Sequence, residues 1–579
     1  MTTTIRNSSE RLGILSVLAA VILVLSGAVQ AMPMRPELRA QIASSPTAEK
    51  AYQRQLQSLR ERGIDQPDDV LQNMLAKPGI SLSPQVPVQF RMLVLLVDFP
   101  DKAHQVNASF FDNIIFDSSG NSIRSYYGEI SYTRFDIVTL NQPSSTGWFT
   151  AAHDYAYYVD GQGGMGTYPN NAQALVEEVV DAADPYVDYS NYDNDGNGRV
   201  DAVVVVHAGS GREYTGSNDD IHSHKWGINT RYHDGVGIST YTIQPEYWSA
   251  ANDLTIGVFC HELGHVFGLP DLYDTDNSSF GVGAWCLMAY GSWNGTNGAS
   301  PSHPSAWCLD KLGFANRVNV AGNITGQSID AVEQGGSIYR LWSGGDSTSQ
   351  EYFLVENRQK TGYDSFLPSS GLLIWHVDEA KWGSSDNDAE WIPGQSPSNH
   401  YLVALVQADS LYQIEKKLNL GNGGDPYPGS TNNSTFNVTS NPSSDSYLGG
   451  STLVAVQNIS PSGSVMTADL IVGLASSVDD ETEQLLPTTV ELAQNYPNPF
   501  NPTTTIEFTV DQAAAAKLDV YNITGRHVAT LLNGYVPSGT TRLTWDATTD
   551  SGHEVASGVY LYRLVAGEQQ EVKKMILVR

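Results

Sequence analysis

Two histidines and a glutamate stand at a spacing that can support metal chemistry. Residues 260–271 run Cys-His-Glu-Leu-Gly-His-Val-Phe-Gly-Leu-Pro-Asp. On a helix, His261 and His265 lie one turn apart on the same face, so both rings can bind one Zn²⁺ with Glu262 beside them to act on a water. Asn252 and Asp253 are candidate N-cap residues for that helix.

The residues after the second histidine strengthen this prediction. Gly268 can take the left-handed conformation that ends a helix, and the following Leu-Pro turns the chain so that Asp271 can return as a third ligand. Three protein ligands leave a fourth position open, as a catalytic zinc site requires. Two alternatives stay open: a helix cap with a solvated Asp271, and a distant glutamate as the third ligand.

A second segment, residues 285–291, runs Trp-Cys-Leu-Met-Ala-Tyr-Gly and resembles the methionine turn of metzincin peptidases. The resemblance implies that Met288 lies beneath the metal, although a methionine that simply fills the core is the alternative. Tyr290 resembles a tyrosine that some metzincins keep near the zinc, which implies an oxyanion donor or accessory ligand.

The similarity extends well beyond the zinc motif, because residues 88 to about 470 resemble the immune inhibitor A family of secreted bacterial metallopeptidases. The stretches that carry the resemblance are residues 93–101, 126–132, 264–273, 371–378 and 407–409. It implies a metzincin-type endopeptidase with Asp271, rather than a histidine, as the third zinc ligand.

An acidic loop at residues 193–201 predicts a second metal site. Side-chain oxygens stand at positions 1, 3, 5 and 9 of an EF-hand-type calcium loop, glycine stands at position 6, and a main-chain carbonyl would serve at position 7. The ligands would be Asp193, Asp195, Asn197, Asp201 and the Arg199 carbonyl. Position 12 is Val204 instead of glutamate, so calcium affinity is weak or another segment supplies the last carboxylate. A solvated acidic turn is the alternative.

The elements that must position these residues indicate an α/β domain at residues 88–317. Residues 92–97 and 202–206 are apolar runs of the kind that are buried on both faces of a sheet, and residues 172–183 have apolar side chains at helical spacing. Short strands separated by Gly, Ser, Asn and Asp loops follow in residues 318–472, which predicts a β-sandwich companion domain.

An acidic linker, residues 473–486, leads into a last module at residues 487–579. This module resembles a type IX secretion sorting domain with an immunoglobulin-like β-sandwich fold related to the flagellar hook-capping protein. The resemblance implies that the type IX secretion machinery is a partner. An adhesion module of the same fold is the alternative.

The N-terminus predicts export. An apolar run at residues 12–29 ends in Val-Gln-Ala, which favours a signal peptide over residues 1–31, with an uncleaved membrane anchor as the alternative. Residues 32–87 are polar and helix-prone and are interpreted as a propeptide, although a plain linker has the same composition. They contain no cysteine, so a thiolate cannot cap the metal, and latency must use another ligand or steric occlusion.

Composition limits the class of protein. A chain of 579 residues has room for several domains, and its formal charge of −31 disfavours binding to nucleic acid or anionic lipid. Cys260, Cys286 and Cys308 allow one disulfide at most, and their pairing stays open.

Together these patterns predict a secreted multidomain zinc endopeptidase, extracellular or on the cell surface, that acts on proteins or peptides without stable membrane insertion after signal cleavage. Glu262 would act as general base and then general acid. The rival hypothesis is a surface adhesin or calcium-stabilised binding protein that retains a metal site without turnover.

Overall fold

The computed structural model describes residues 32–45, 48, 62–201, 203–275, 278–383, 387, 399–473, 490–510, 514–523, 525–536, 539–549, 553–566 and 569–579. The predicted signal peptide, residues 1–31, and nearly all of the predicted linker, residues 474–486, lie outside these ranges. Among the described helices, none has the length and apolar character needed to cross a membrane.

The α-helices are concentrated in the first half of the chain. They are α1 (Pro36–Ala43), α2 (Val70–Ala76), α3 (Ala108–Phe116), α4 (Ile123–Ile130), α5 (Pro143–Thr146), α6 (Tyr155–Val159), α7 (Ala172–Ala183), α8 (Arg212–Thr215), α9 (Gly257–Val266) and α10 (Ala306–Lys311). Helix α7 coincides with the predicted helix, and its N-cap is Asn171, whose side chain accepts a hydrogen bond from the Ala174 N–H.

A mostly parallel sheet supports the zinc motif. The strands of this region are β1 (Val88–Arg91), β2 (Leu93–Asp98), β3 (Phe135–Val138), β4 (Trp148–Thr150), β5 (Arg199–Val200), β6 (Val203–Ser210), β7 (His224–His233) and β8 (Val236–Tyr247). Strands β4, β2, β6 and β8 are parallel neighbours in that order. Strands β5 and β6 pair with β8 in one continuous register, so the antiparallel β7 lies on the other side of β8 and forms the sheet edge.

Both faces of this sheet are buried, as the apolar runs predict. Leu93 and Leu95 on β2 pack into the cluster that contains α7. Val94 and Leu96 point the other way, into the cluster that contains α9. Every residue of α9 is buried, so the helix that carries the predicted zinc ligands lies inside the domain rather than on its surface.

The predicted N-cap of the zinc helix was wrong. Helix α9 begins at Gly257, and its N-cap, Ile256, offers no side-chain hydrogen bond. The Asp253 carboxylate instead accepts hydrogen bonds from the N–H groups of Trp248 (2.7 Å) and Ser249 (2.9 Å). Asp253 therefore closes the turn that precedes the helix.

Residues 316–471 form two further sheets. Their strands are β9 (Asn316–Asn319), β10 (Ile324–Asp330), β11 (Ser337–Leu341), β12 (Glu351–Arg358), β13 (Gly371–Asp378), β14 (Val403–Leu405), β15 (Ala455–Gln457) and β16 (Val465–Ile471). One sheet has the order β14-β13-β12-β11-β9, and the other has the order β10-β16-β15. On the five-stranded sheet, Phe353 and Ile374 pack against the three-stranded one, whereas Leu354 and Trp375 enter the same cluster as α9.

A buried arginine joins the five-stranded sheet to the loop before α10. The Arg358 guanidinium donates to both carboxylate oxygens of Asp364 (2.9 and 2.8 Å), and the same carboxylate accepts from the His303 N–H (2.9 Å). All three side chains are buried.

The C-terminal segment has a core of its own. Its strands are β17 (Val490–Leu492), β18 (Thr504–Val510), β19 (Ala514–Asn522), β20 (His527–Val536), β21 (Gly539–Trp545), β22 (Gly558–Ala566) and β23 (Gln569–Leu577). They form two sheets, β17-β18-β21 and β20-β19-β22-β23, that share one hydrophobic cluster.

Candidate metal centre and its covering segment

Each histidine ring of α9 is held by a hydrogen bond at one nitrogen, which leaves its other nitrogen available to bind a metal. His261 Nδ1 lies 3.0 Å from the Leu287 carbonyl oxygen, and His265 Nδ1 lies 2.8 Å from that of Leu269. A carbonyl only accepts, so each Nδ1 carries the proton and donates. Each Nε2 is therefore left as a lone-pair donor for a metal.

Asp271 returns to these rings as the sequence predicts. The turn after α9 passes through Gly268 at φ +98°, and the Leu269 N–H closes it on the Gly264 carbonyl at 2.9 Å. Asp271 Oδ1 then lies 3.1 Å from His261 Nε2 and 3.4 Å from His265 Nε2.

The donor set fits zinc. Among the described residues, His261 Nε2, His265 Nε2, Asp271 Oδ1 and both Glu262 carboxylate oxygens are buried without a hydrogen-bond partner. Leaving so many polar atoms unsatisfied at one point is costly unless a cation binds there. Two imidazole nitrogens and one carboxylate oxygen form a three-ligand set with an open fourth position, which is typical of catalytic zinc.

The carboxylates of the site have opposite electrostatic environments. Burial opposes ionisation of Asp271, but the neighbouring His265 and His261 hold its pKa well below the usual range. Burial raises the pKa of Glu262 well above its usual value, and Asp65 and Asp271 raise it further. A divalent cation at this point would favour the ionised form of both.

Met288 lies directly beneath the zinc helix. A Cβ on Gly264 would overlap the Met288 sulfur, so the glycine between the two histidines is needed for this approach. The Met288 carbonyl accepts from the Leu272 N–H at 2.7 Å, next to Asp271. The turn thus supports both the histidine and the aspartate parts of the site.

The tyrosine against the histidines is one that the sequence did not single out. The Tyr273 ring lies 6.2 Å from the His261 ring, centroid to centroid. Tyr290 packs beyond it, 6.4 Å from the Tyr273 ring and 5.3 Å from the Phe280 ring. Tyr273 follows Asp271 by only two residues, and this short separation is the sequence feature that could have identified it as a neighbour of the site.

Comparisons with known proteins converge on this region. Residues 88–316 match the immune inhibitor A peptidase M6 catalytic domain. The pre-pro-metalloprotease PrtV of Vibrio cholerae serotype O1 (strain M66-2) is 31% identical over 282 residues, which cover 38% of this chain and 29% of PrtV. Immune inhibitor A of Bacillus thuringiensis subsp. alesti is 29% identical over 263 residues, which cover 35% of this chain and 36% of that protein. The chain thus spans about a third of the length of these relatives.

Outside the peptidase M6 match, residues 498–570 match the FlgD Ig-like domain. Among solved structures, dimeric latent PorU from Porphyromonas gingivalis is 19% identical and covers 23% of this chain and 14% of that one, with a TM-score of 0.15. A likeness at that TM-score carries no argument about fold or function. The M6 match supports metalloprotease chemistry at the histidine site.

A segment that precedes the M6 match covers the site. Residues 62–77, named here the covering segment, run from the edge strand β7 across the end of α9. Asp65 places a carboxylate oxygen within 4.8 Å of the Glu262 and His265 ligand atoms. The Asp68 N–H donates to the His265 carbonyl at 2.9 Å, and Gln72 Nε2 donates to the Phe267 carbonyl at 3.2 Å. Asp65 and Asp68 stand in no metal-binding pattern, so the sequence alone does not point to either of them.

The covering segment is attached to β7 through Asp65, which bonds to both main-chain polar groups of Lys225. The Asp65 N–H donates to the Lys225 carbonyl at 3.0 Å, and the Lys225 N–H donates to Asp65 Oδ1 at 2.8 Å. Burial raises the pKa of Asp65 to about 7, against the opposing effect of His265.

The acidic loop brings three of its predicted ligands together. Oxygens of Asp193, Asp195 and Asp201 lie within 4.8 Å of one another. Asp201 is 4% exposed, and its Oδ1 has no hydrogen-bond partner among the described residues. Burial, with Asp195 and Asp193 nearby, raises the pKa of Asp201 to about 7. An unpaired, buried oxygen that faces two further carboxylates favours a cation.

Asn197, a further predicted calcium ligand, is engaged in hydrogen bonds within the loop. The Asn197 side-chain oxygen accepts from the Arg199 N–H at 2.8 Å, and its amide nitrogen donates to Asp195 at 2.9 Å. The covering segment also reaches this loop, because Asn73 donates to Asp195 (3.1 Å) and Lys77 donates to the Asn194 carbonyl (2.9 Å).

Proposed function

We propose that the chain is a secreted zinc-dependent endopeptidase that hydrolyses peptide bonds in protein substrates. The observation that carries the proposal is the convergence of His261 Nε2, His265 Nε2 and Asp271 Oδ1, all without hydrogen-bond partners, beside an equally unpartnered Glu262 carboxylate. The M6 catalytic-domain match over residues 88–316 supports it independently.

His261, His265 and Asp271 would hold the zinc ion. Zinc bound there would supply Lewis-acid chemistry, acidifying water and polarising the scissile carbonyl. Glu262, adjacent to both histidines, accepts a proton from the attacking water and returns it to the leaving amine. Burial of α9 excludes bulk water and strengthens these interactions.

We further propose that residues 32–87 are a propeptide and that Asp65 keeps the chain latent. The Asp65 carboxylate lies where it can occupy the open coordination position, next to Glu262 and His265. Main-chain hydrogen bonds to β7 and α9 hold it there, so a substrate would have to displace the whole covering segment.

Calcium at Asp193, Asp195 and Asp201 is proposed as a structural ion. Support comes from the buried, unpartnered Asp201 oxygen and from the glycines at residues 196 and 198, whose positive φ angles of +70° and +84° curl the loop. The ion would fix the chain at the entrance to β6 and the central sheet.

The C-terminal residues 487–579 are proposed to direct export through the type IX secretion machinery. The FlgD Ig-like match and the separate hydrophobic core support a self-contained module. Deleting residues 490–579 should leave the proteolytic activity of the purified chain unchanged and abolish its release from a host that has this secretion system.

The decisive experiment measures casein hydrolysis and zinc content after removal of the covering segment. Residues 78–81 are exposed, so a recognition sequence for a site-specific protease can replace them in the full chain. The cut parent should cleave casein, and Glu262→Ala should bind zinc without cleaving. Glu491→Ala, an exposed position, is the matched control. Zinc binding without casein hydrolysis by the cut parent would instead favour a binding protein.

A further inference from the structure

Lys225 is a buried cation at the rim of the candidate active site. It lies on the edge strand β7 and is 4% exposed. Its ammonium group donates to the Gln66 carbonyl at 2.7 Å and forms an ion pair with Asp68 Oδ2 at 2.9 Å. Both of these partners belong to the covering segment.

Removal of the covering segment would leave this ammonium group without either partner, beside the candidate metal centre. The Lys225 main chain would lose its partners at the same time, since its N–H and C=O groups bond to Asp65 of the covering segment. An extended peptide can add to such an edge through main-chain hydrogen bonds, while nearby pockets bind its side chains and determine specificity. A substrate paired with β7 would thus pass Lys225 on its way to Glu262.

The charge of the chain makes such a cation significant for acidic substrates. Acidic side chains outnumber Lys and Arg by 63 to 32, so the protein as a whole repels anionic peptides. A buried, hydrogen-bonded cation discriminates strongly between a carboxylate and its neutral amide, because an unmatched charge in a desolvated site is unfavourable. In the covered state, Asp68 already supplies the carboxylate that pairs with Lys225.

Building on the proposed peptidase function, we infer that Lys225 is a specificity-determining residue that selects an acidic side chain near the scissile bond, and that Asp68 of the covering segment mimics this side chain. A carboxylate in place of an amide should improve binding by about tenfold to a hundredfold, the range expected for a hydrogen bond to a charged group.

A binding experiment tests this inference without turnover. The full chain carrying Glu262→Gln is cut at residues 78–81 and freed of residues 32–77 by chromatography. It is then titrated with a synthetic peptide of residues 62–77 and with the same peptide carrying Asp68→Asn. The aspartate peptide should bind more tightly by the stated factor. Lys225→Met should remove the difference, and Lys225→Arg should restore most of it.

A turnover experiment locates the preference. Pairs of peptide substrates that differ only by Glu or Gln are scanned on both sides of the scissile bond. The cut parent should prefer Glu at one position, and Lys225→Met should lose that preference while still cleaving the Gln substrate.

Equal binding of the unaltered peptide and the Asp68→Asn peptide to the cut chain would overturn the inference, as would an unchanged Glu preference in Lys225→Met. If Lys225→Met does not fold, the rates at which the cut parent cleaves the paired Glu and Gln substrates test the inference, and equal rates at every position would overturn it. Failure of the parent to cleave any substrate counts against the peptidase function alone, because the binding titration still reports on Lys225.

Discussion

Gly264 and Met288 fit together only because the glycine has no side chain. A Cβ at residue 264 would overlap the Met288 sulfur, on the turn of α9 that lies between the two histidines. The methionine thus fixes the height of the zinc helix above the turn.

The first prediction concerns this contact. Gly264→Ala should lower the free energy of unfolding by about 1–3 kcal/mol, as overpacking of a core does. Calorimetry and zinc content measure the effect. Gly128→Ala is the matched control, since Gly128 lies in α4 with nothing within 4 Å of the added Cβ. The control should gain about 0.5–1 kcal/mol from helix propensity. Equal effects in both variants would contradict the proposed contact.

The second prediction concerns Asp271 as the proposed third zinc ligand. Asp271→Ala should weaken zinc binding by at least the factor of about 10–100 seen when a group that only orients a ligand is lost. Competition with a chromogenic chelator measures the affinity. Asp330→Ala, at an exposed position, should bind zinc like the parent. Unchanged affinity in Asp271→Ala would point to a distant glutamate as the ligand.

The third prediction concerns latency. Asp65→Ala in the uncut chain should raise casein hydrolysis above the parent's, because the open coordination position loses its competing carboxylate. Asp69→Ala removes an exposed carboxylate from the same segment and should leave the uncut chain as inactive as the parent. Latency that survives in Asp65→Ala would assign the block to main-chain pairing with β7 instead.

The fourth prediction concerns calcium. Calcium at about 100 times its Kd should stabilise the chain by about 2.7 kcal/mol, because the proposed site exists in the folded loop and not in the unfolded chain. Asp201→Asn should remove this gain, and Asp219→Asn, at an exposed site, should keep it. Thermal unfolding with and without calcium, and terbium luminescence, measure the two effects. A gain that persists in Asp201→Asn would place the ion elsewhere.

The fifth prediction concerns pH. Burial raises the pKa of Glu415 from 4.5 to about 7, and the side chain is 4% exposed. Between these two values the folded chain keeps a proton that the unfolded chain has lost, so stability falls as pH rises, by up to about 1.4 kcal/mol per unit.

Glu415→Gln should remove the share of this decline that comes from Glu415, so its gain over the parent is largest above pH 7. Asp65 and Asp201, whose pKa values are also raised to about 7, keep contributing theirs. Urea unfolding at pH 5 and pH 8 measures it. Glu491→Gln, at an exposed position, should follow the parent at both values. A parent-like decline in Glu415→Gln would assign the pH dependence to other groups.

The sequence predicted correctly those features that depend on residues close together in the chain. Helix α7 has the bounds that its apolar spacing indicates, and Asn171 caps it. His261, His265 and Asp271 meet because a helix turn and one glycine bring them together within a short segment.

The features that the sequence did not predict depend mostly on contacts between distant parts of the chain. Asp65 and Lys225 are 160 residues apart in sequence, and no periodicity links them. Tyr273 reaches His261 only through the turn at Gly268, so Tyr290 was the more visible candidate. Asp253 resembles an N-cap in sequence, but the preceding turn takes its carboxylate.

The five-stranded sheet of β9 and β11–β14 bears on which parts of the chain can be inherited separately. One of its faces completes the interior that surrounds α9, and the other completes the interior of the sheet that follows. A recombination event that moved residues 88–317 alone would separate the candidate metal centre from one wall of the interior that surrounds it. We therefore expect the unit that is inherited intact to run to about residue 472, and we expect residues 490–579, which have a core of their own, to be exchanged or lost independently.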